Sequence, residues 1–215
     1  MQATFTIRRR TALLGALAAA AAAVSVVGMP NQAHALGAGR VCFFKAPTGA
    51  PIGPSGHQLM FGHAGWAYRV GSSGTWVYGS TENNSGKPTI SAGQNTDSWS
   101  RTGSWAQVTA DFKGALTING HHYHNAGYYT QYRCRNTNTS AVGAANTTAA
   151  QQLGNGYDWF SNNCLTKGVQ IFWAYDSSLR AVPPASNPKG IGSGVGVGPN
   201  WYIDHLNGFE ATQNL

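Results

Sequence analysis

Charged side chains are scarce in this 215-residue chain, and acidic ones are the scarcest. Lysine and arginine number 14, aspartate and glutamate only 7, and charged residues make up 10% of the total. Beyond Arg8, Arg9 and Arg10 there is no lysine or arginine run, whereas nucleic-acid binding requires a clustered basic patch. Disorder is also excluded, because aromatic residues are plentiful. The sequence therefore predicts a folded protein without a nucleic-acid partner.

Metal-binding motifs are missing as well, since neither CxxC nor HExxH occurs. The densest histidine cluster is NGHHYHNAG, residues 119–127. On a strand His122 and His124 share a face at a spacing that zinc can use, but no third ligand is evident. A polar strand face is the better interpretation, so we predict no metal and no other cofactor.

A long apolar run occurs near the N-terminus, directly after the three arginines. The run LLGALAAAAAAVSVVG leads to Ala33-His34-Ala35, which has the small-x-small form of a signal cleavage site. It is too short and too rich in alanine for a membrane anchor. We predict an export signal over residues 1–35, using the twin-arginine or the general route. The mature chain, residues 36–215, is then a secreted, bacterial, single-domain protein with 11 basic and 7 acidic residues.

The chain has only three cysteines, and all of them follow the predicted signal. Cysteines of exported proteins tend to pair, and an odd number leaves one thiol over. Three pairings are open from the sequence. The local context favours Cys42 with Cys134, because VCFF and YYTQYRC both have the aromatic and β-branched content of strands. Cys164 is then the free thiol.

Cys164 stands at the beginning of a predicted helix over residues 162–175. Ser161, Asn162 and Asn163 are good N-cap residues, and apolar side chains follow at helical spacing. A helix N-terminus favours a thiolate, so Cys164 is a candidate nucleophile. The alternative is an inert buried cysteine, which is a common fate of this residue type.

A nucleophilic cysteine requires a base, and His63 is the best-placed histidine. The stretch FGHAGWAYRVGSSGTWVYGSTENN, residues 61–84, is typical of a β-hairpin. If its turn centres between Ser72 and Ser73, His63 faces Glu82, and a carboxylate there can orient the imidazole. A slip of one residue substitutes Thr81 or Asn83. His205, beside Asp204, is the second candidate for the base.

A histidine in a GHxGW strand context, followed later by an NC dipeptide that opens a helix, resembles a known family. It is similar to the circularly permuted branch of the NlpC-type papain-like superfamily, which includes the lecithin:retinol acyltransferase-like proteins. In that branch the catalytic histidine precedes the cysteine, and the resemblance covers roughly residues 58–176. By this resemblance Cys164 is the nucleophile and His63 the base, and Glu82 lies near the third polar position.

Acyl transfer through a thioester is the chemistry that the resemblance implies. The Cys164 backbone N–H, with Asn162 or Asn163, is a candidate oxyanion hole. Peptide or peptidoglycan-like amides are the expected substrates, and a lipid acyl group is an alternative. A second alternative is a secreted binding module that applies its tryptophans to carbohydrate or to a protein partner. We expect a monomer without a membrane anchor.

Many short strands and few helices predict an α+β fold. In this fold, papain-like in permuted order, an antiparallel sheet carries the Cys164 helix packed against it. A second predicted helix lies within Ala141–Leu153, and a short element spans Trp201–Leu206. We predict loop-rich chain over residues 85–104 and several short strands over residues 105–135. A Gly-rich run at Gly190–Gly198 lacks the strand and helix of a dinucleotide site.

Overall fold

The structure is a computed structural model, and it describes residues 38–49, 51–52, 59–182 and 198–215. The described residues fall in one compact unit. The predicted export signal, His57 and most of the Gly-rich run lie outside the described residues. Among the described residues, no helix combines the length and apolar character needed to cross a bilayer.

The chain forms an α+β structure in which short strands outnumber helices, as expected. The strands are β1 (Gly39–Ala46), β2 (Pro51–Ile52), β3 (Leu59–Met60), β4 (His63–Arg69), β5 (Thr75–Thr81), β6 (Thr89–Ile90), β7 (Ser98–Ser104), β8 (Leu116–Ile118), β9 (His121–His124), β10 (Gln131–Thr137), β11 (Tyr157–Asp158) and β12 (Gln213–Asn214). The helices are α1 (Trp105–Lys113), α2 (Val142–Gly154), α3 (Cys164–Tyr175), a 3₁₀ turn at Ser177–Ala181 and α4 (Pro199–Asp204).

Six strands form one antiparallel sheet in the order β12-β10-β1-β4-β5-β7. The β4–β5 hairpin pairs Gly65 with Ser80 and Arg69 with Trp76. Continued to the end of the hairpin, this register sets His63 opposite Glu82, as predicted from the turn. The turn is closed by the Val70 N–H, which donates to the Thr75 carbonyl at 2.8 Å.

Side chains of the sheet point alternately into two apolar cores. The α3-side core joins the sheet to α2, α3 and α4; its buried residues include Val41, Phe43, Trp66, Tyr68, Ala149, Val169, Phe172 and Ile203. The α1-side core lies on the other face; its buried residues include Cys42, Phe44, Ala67, Trp76, Tyr78, Trp99, Val108, Phe112, Tyr129 and Cys134. Trp66 and Trp99 are buried in these cores, so they are not available as a binding surface for a partner.

Helix α3 begins at Cys164 because Asn163 caps it. The Asn163 side chain accepts hydrogen bonds from the backbone N–H groups of Leu165 and Thr166, at 3.0 and 3.1 Å. Gly168 allows the helix to lie close to the sheet, since a Cβ there would stand 2.8 Å from the Phe43 ring. The predicted packing of this helix on the sheet is therefore confirmed, and its first residue is held at one end of β4.

Cys42 and Cys134 form a disulfide in the α1-side core and Cys164 is the free thiol, as predicted. Cys164 is also buried, which is the environment that the alternative interpretation of this cysteine expected. The two bridged cysteines lie directly opposite each other on β1 and β10. The bond is compatible with a secreted protein, because disulfides persist in oxidising compartments.

Two sequence predictions about the middle of the chain were wrong. Residues 105–113 form helix α1 and not a strand, and residues 98–104 form β7 inside the predicted loop. The helix begins at a capping box in which Ser104 and Gln107 exchange hydrogen bonds. Only Val108 and Phe112 of α1 are buried, one turn apart, so its apolar face is narrow. Phe112 packs on Gly65, where a Cβ would stand 2.3 Å from its ring.

Candidate active site

His63 is the first residue of β4, and its ring lies on the α1 side of the sheet. Nε2 is 2.8 Å from Glu82 Oε2 and 3.1 Å from Ser80 Oγ. Because a carboxylate can only accept, Nε2 carries the proton in this contact. The other ring nitrogen, Nδ1, is then available to the Cys164 thiol, with which His63 forms a side-chain hydrogen bond.

Glu82 is buried and its carboxylate is surrounded by donors. Oε1 accepts hydrogen bonds from Tyr129 Oη at 2.8 Å and Trp99 Nε1 at 3.3 Å. Burial raises the pKa of this carboxyl, but the charge and hydrogen bond of His63 and the hydrogen bond of Tyr129 outweigh it. The pKa of Glu82 is therefore lowered, and the side chain is an anion that faces Nε2 of His63.

Cys164 lies at the other side of the imidazole, where α3 begins. Burial raises the pKa of its thiol, but the His63 charge, the His63 hydrogen bond and the Ala64 backbone N–H together lower it. For His63 the balance is the reverse. Burial lowers its pKa, but the negative charges of Cys164 and Glu82 raise it well above the ordinary value. The two shifts favour a thiolate–imidazolium pair.

Tyr157 is a further group at the thiol. Its side chain is 5% exposed, and its hydroxyl is hydrogen-bonded with both the thiol and the backbone N–H of Cys164. Burial and the negative charge of Cys164 raise the pKa of Tyr157 well above its usual value, so that it keeps its proton. A neutral phenol donor and a helix N–H thus converge beside the sulfur.

Asn162 and Asn163, the sequence candidates for oxyanion donors, use their amide groups elsewhere. Asn162 Nδ2 donates to the Asn155 carbonyl at 2.5 Å, and Asn163 Nδ2 donates to the Trp159 carbonyl at 3.0 Å. Together with the N-cap bonds of Asn163, these contacts fix the loop that leads into α3. The structure thus gives both asparagines a supporting position behind Cys164.

Part of the site borders a cleft of about 350 Å³. His63, Glu82 and Tyr157 line it, and Tyr128 and Trp159 supply aromatic walls. The loop after β5 forms the rim of the cleft with Asn83, Asn84 and Gly86. The described lining residues include no lysine or arginine.

The rim loop is held by the β8–β9 hairpin. The Asn84 backbone N–H donates to Asp97 Oδ2 at 2.9 Å, and the same carboxylate contacts His121 Nε2 at 3.0 Å. Asn84 Nδ2 also donates to the Tyr123 carbonyl at 3.1 Å. The histidine-rich segment therefore serves as a support for the cleft. Within the described part of the chain, no three histidine, cysteine, aspartate or glutamate side chains are grouped as a metal site requires.

Two other histidines stand apart from the thiol. His205 Nδ1 lies 2.8 Å from the Trp201 carbonyl, and its ring stacks on the Trp201 indole. His205, the second candidate for the base, therefore contacts Trp201 and not the Cys164 thiol. His124 is buried behind Glu82, and burial lowers its pKa, which keeps it neutral.

Sequence reasoning missed Ser80, Trp99, Tyr129 and Tyr157. Ser80 had a readable signal, because it precedes Glu82 by two residues and therefore shares its strand face. No pattern in the sequence points to the two tyrosines. Tyr129, for example, lies 47 residues from Glu82 along the chain, so no local spacing connects them.

No protein-family model, curated protein sequence or solved structure matches this chain. The relationship to the permuted papain-like proteins therefore stays a prediction, and the chemistry of the site rests on its own geometry.

Proposed function

We propose that the protein is a secreted cysteine hydrolase that cleaves peptide or amide bonds, with papain-like chemistry in permuted order. The observation that carries the proposal is the line of Cys164, His63 and Glu82, in which His63 and Glu82 border one cleft and Cys164 lies buried directly behind His63. A nucleophile, a base and a group that orients the base are what covalent acyl transfer requires. The order of these residues along the chain also fits the resemblance, because His63 precedes Cys164 as in the permuted branch.

In the resting enzyme Cys164 is a thiolate and His63 an imidazolium. Glu82 accepts a hydrogen bond from the Nε2–H of His63, which fixes the ring and stabilises its positive charge. Since Trp99 and Tyr129 hold the carboxylate from behind, Glu82 has little freedom to turn away. The nucleophile is thus charged before substrate binds.

The first chemical step forms a thioester. The Cys164 sulfur attacks the carbonyl carbon of the scissile amide, and a carbon–sulfur bond forms. The carbon–nitrogen bond then breaks, and the leaving amine takes its proton from His63. Neutral His63 remains beside the acyl-enzyme.

Negative charge that develops on the carbonyl oxygen would be stabilised by two donors that contact each other before substrate binds. The Cys164 backbone N–H and the Tyr157 hydroxyl lie beside the sulfur, one at a helix N-terminus and the other protonated by virtue of burial. Losing one such donor costs about a hundredfold or more in rate in comparable acyl-transfer sites.

Water completes the reaction. His63 removes a proton from water as the oxygen attacks the thioester carbonyl. The carbon–sulfur bond breaks, the carboxylic acid leaves and the thiolate–imidazolium pair is restored.

The cleft favours an uncharged amide over an anionic lipid as substrate. A thiolate, an imidazolium and the Glu82 carboxylate leave one net negative charge, and the described lining offers no lysine or arginine to a phosphate headgroup. Peptides, including those of a peptidoglycan-like polymer, present neutral amides. The walls formed by Tyr128 and Trp159 suit the apolar faces of such a chain.

Alkylation of the mature protein by iodoacetamide across pH tests the thiolate directly. Cys164 should be labelled with an apparent pKa clearly below the ~8.5 of an ordinary thiol. In His63→Ala the labelling rate at pH 6 should fall by about tenfold to a hundredfold, because the thiolate loses its counter-ion. His205→Ala is the matched control, since that histidine bonds to the Trp201 carbonyl, and it should label like the wild type.

Slow labelling with an ordinary pKa in the wild type would overturn the proposal and favour a binding module. A second assay measures amino groups released from purified peptidoglycan, which Cys164→Ala should abolish. Release that survives Cys164→Ala would place the chemistry elsewhere.

A further inference from the structure

A second groove, of about 480 Å³, is lined in part by Trp76 of β5, at the end of the β4–β5 hairpin away from His63. Its lining residues are Arg40, Trp76, Trp105, Tyr132, Glu210 and Gln213. Trp76 precedes Glu82 by six residues along β5, which corresponds to roughly 20 Å of extended chain. The groove is therefore separate from the proposed catalytic cleft.

One wall of this groove is aromatic. The Trp105 ring centroid lies 4.7 Å from that of Trp76 and 5.5 Å from that of Tyr132. Trp105 and Tyr132 are half-buried, so that each keeps part of its ring open to solvent. Because these rings are packed against one another, they form a stiff surface that binding would not need to order.

The other wall consists of planar polar side chains. Arg40 Nη2 lies 2.6 Å from Glu210 Oε2, and Arg40 Nη1 donates to Asn136 Oδ1 at 2.8 Å. The side chains of this ion pair are 23% and 31% exposed, so the pair remains accessible. Gln213 adds an exposed amide. The charges cancel, and the wall offers several fixed donors and acceptors to a ligand without net charge.

We propose that this groove binds the sugar rings of an uncharged oligosaccharide. A pyranose has an apolar face of C–H groups, which an aromatic surface can cover, and a rim of hydroxyls, which planar polar side chains can bind in pairs. An anionic ligand would be repelled by the Glu210 carboxylate. An apolar ligand would remove water from the Arg40–Glu210 ion pair without replacing its hydrogen bonds, which is unfavourable. The site would hold a glycan independently of any reaction at Cys164.

Proton–nitrogen NMR of the tryptophan indoles tests the proposal, with the tetramer of N-acetylglucosamine as the probe. The indole signals of Trp76 and Trp105 should shift in a saturable way, while that of Trp201, an exposed tryptophan elsewhere, should not. Gln213→Ala should weaken binding about fivefold, as expected for one lost hydrogen bond. Trp105→Leu should weaken it by tenfold or more. Trp201→Phe is the matched control and should leave the affinity unchanged.

Absence of any shift at Trp76 and Trp105 up to about 10 mM sugar would overturn the proposal. A shift confined to Trp159 would do so too, because that residue lines the proposed catalytic cleft. If Trp105→Leu fails to fold, the exposed Gln213→Ala variant still decides the outcome. None of these measurements depends on turnover, so a negative result here leaves the alkylation of Cys164 unaffected.

Discussion

The two faces of the six-stranded sheet bury cysteine in different chemical states. The α3-side core ends in the free thiol of Cys164, whereas the α1-side core contains the Cys42–Cys134 disulfide. The proposed active site takes its nucleophile from the first core. It takes the residues that support its base, Trp99 and Tyr129, from the second.

This division suggests that the two cores control different properties of one site. Packing on the α3 side sets where the sulfur lies, because Cys164 begins the helix. Packing on the α1 side sets the protonation of His63, because Glu82 is held there. Substitutions on the two faces should separate these contributions.

Removing the disulfide by Cys42→Ala with Cys134→Ala should have the largest effect. The bond joins residues 92 apart, and the loss of such a cross-link lowers the free energy of unfolding by about 4–5 kcal/mol. Urea unfolding measures this. The pH midpoint of Cys164 alkylation in the folded variant should stay unchanged, because neither cysteine contacts the site. A moved midpoint would show that the disulfide helps to hold Glu82 in place.

Glu82→Gln should lower the rate of the acylation step by about a hundredfold, because the imidazolium loses its anionic partner. The Glu82 charge raises the pKa of His63, so its removal should move the alkaline limb of the rate profile to lower pH. Stopped-flow acylation across pH measures both. An unshifted limb would contradict the role of the carboxylate.

Acid unfolding gives a control for Glu82→Gln. Since the pKa of Glu82 is lower in the folded protein, its contribution to stability is present above the unfolded value of ~4.3 and is lost as the pH falls through the folded value. The glutamine variant should lack this part of the acid dependence.

Tyr129→Phe should reduce acylation about tenfold, because it removes one hydrogen bond to a buried charge. Tyr78→Phe is a matched control on the same face, since it removes a 2.6 Å hydrogen bond to Asp111 far from the thiol. Only the first variant should alter the pH profile of Cys164 alkylation. Equal effects of the two variants would indicate general loosening of the α1-side core.

Asn163→Ala and Ser104→Ala compare the caps of α3 and α1 and should have the smallest effects. Each should lower the free energy of unfolding by about 1 kcal/mol, which thermal unfolding measures. Asn163→Ala should also slow Cys164 alkylation about threefold, because the cap aligns the first turn of that helix. An equal slowing by Ser104→Ala would show that the position of the sulfur also depends on the α1-side core.

Local pattern was sufficient where a feature is encoded by neighbouring residues. The short turn after Val70 determined the hairpin register, and the asparagines before Cys164 marked the beginning of α3. Helix α1 was missed because only Val108 and Phe112 of its residues are buried, although Ser104 and Gln107 have capping-box spacing. Tyr129 and Tyr157 could not be predicted, since they reach the site by packing of distant segments.

The β4–β5 turn has a consequence for how the length of this chain can vary. Exposed turns usually tolerate insertions and deletions, and Ser72 and Ser73 lie in such a turn, far from Cys164. Side chains on a strand alternate, so one residue added or removed there would exchange the faces of β5 relative to His63 and turn the Glu82 carboxylate away. Adding or removing two residues in the turn would leave Glu82 on the same face of the sheet as His63. Whether the length of this solvent-exposed turn changes by an odd or an even number of residues therefore decides whether Glu82 faces His63 at the opposite end of the hairpin.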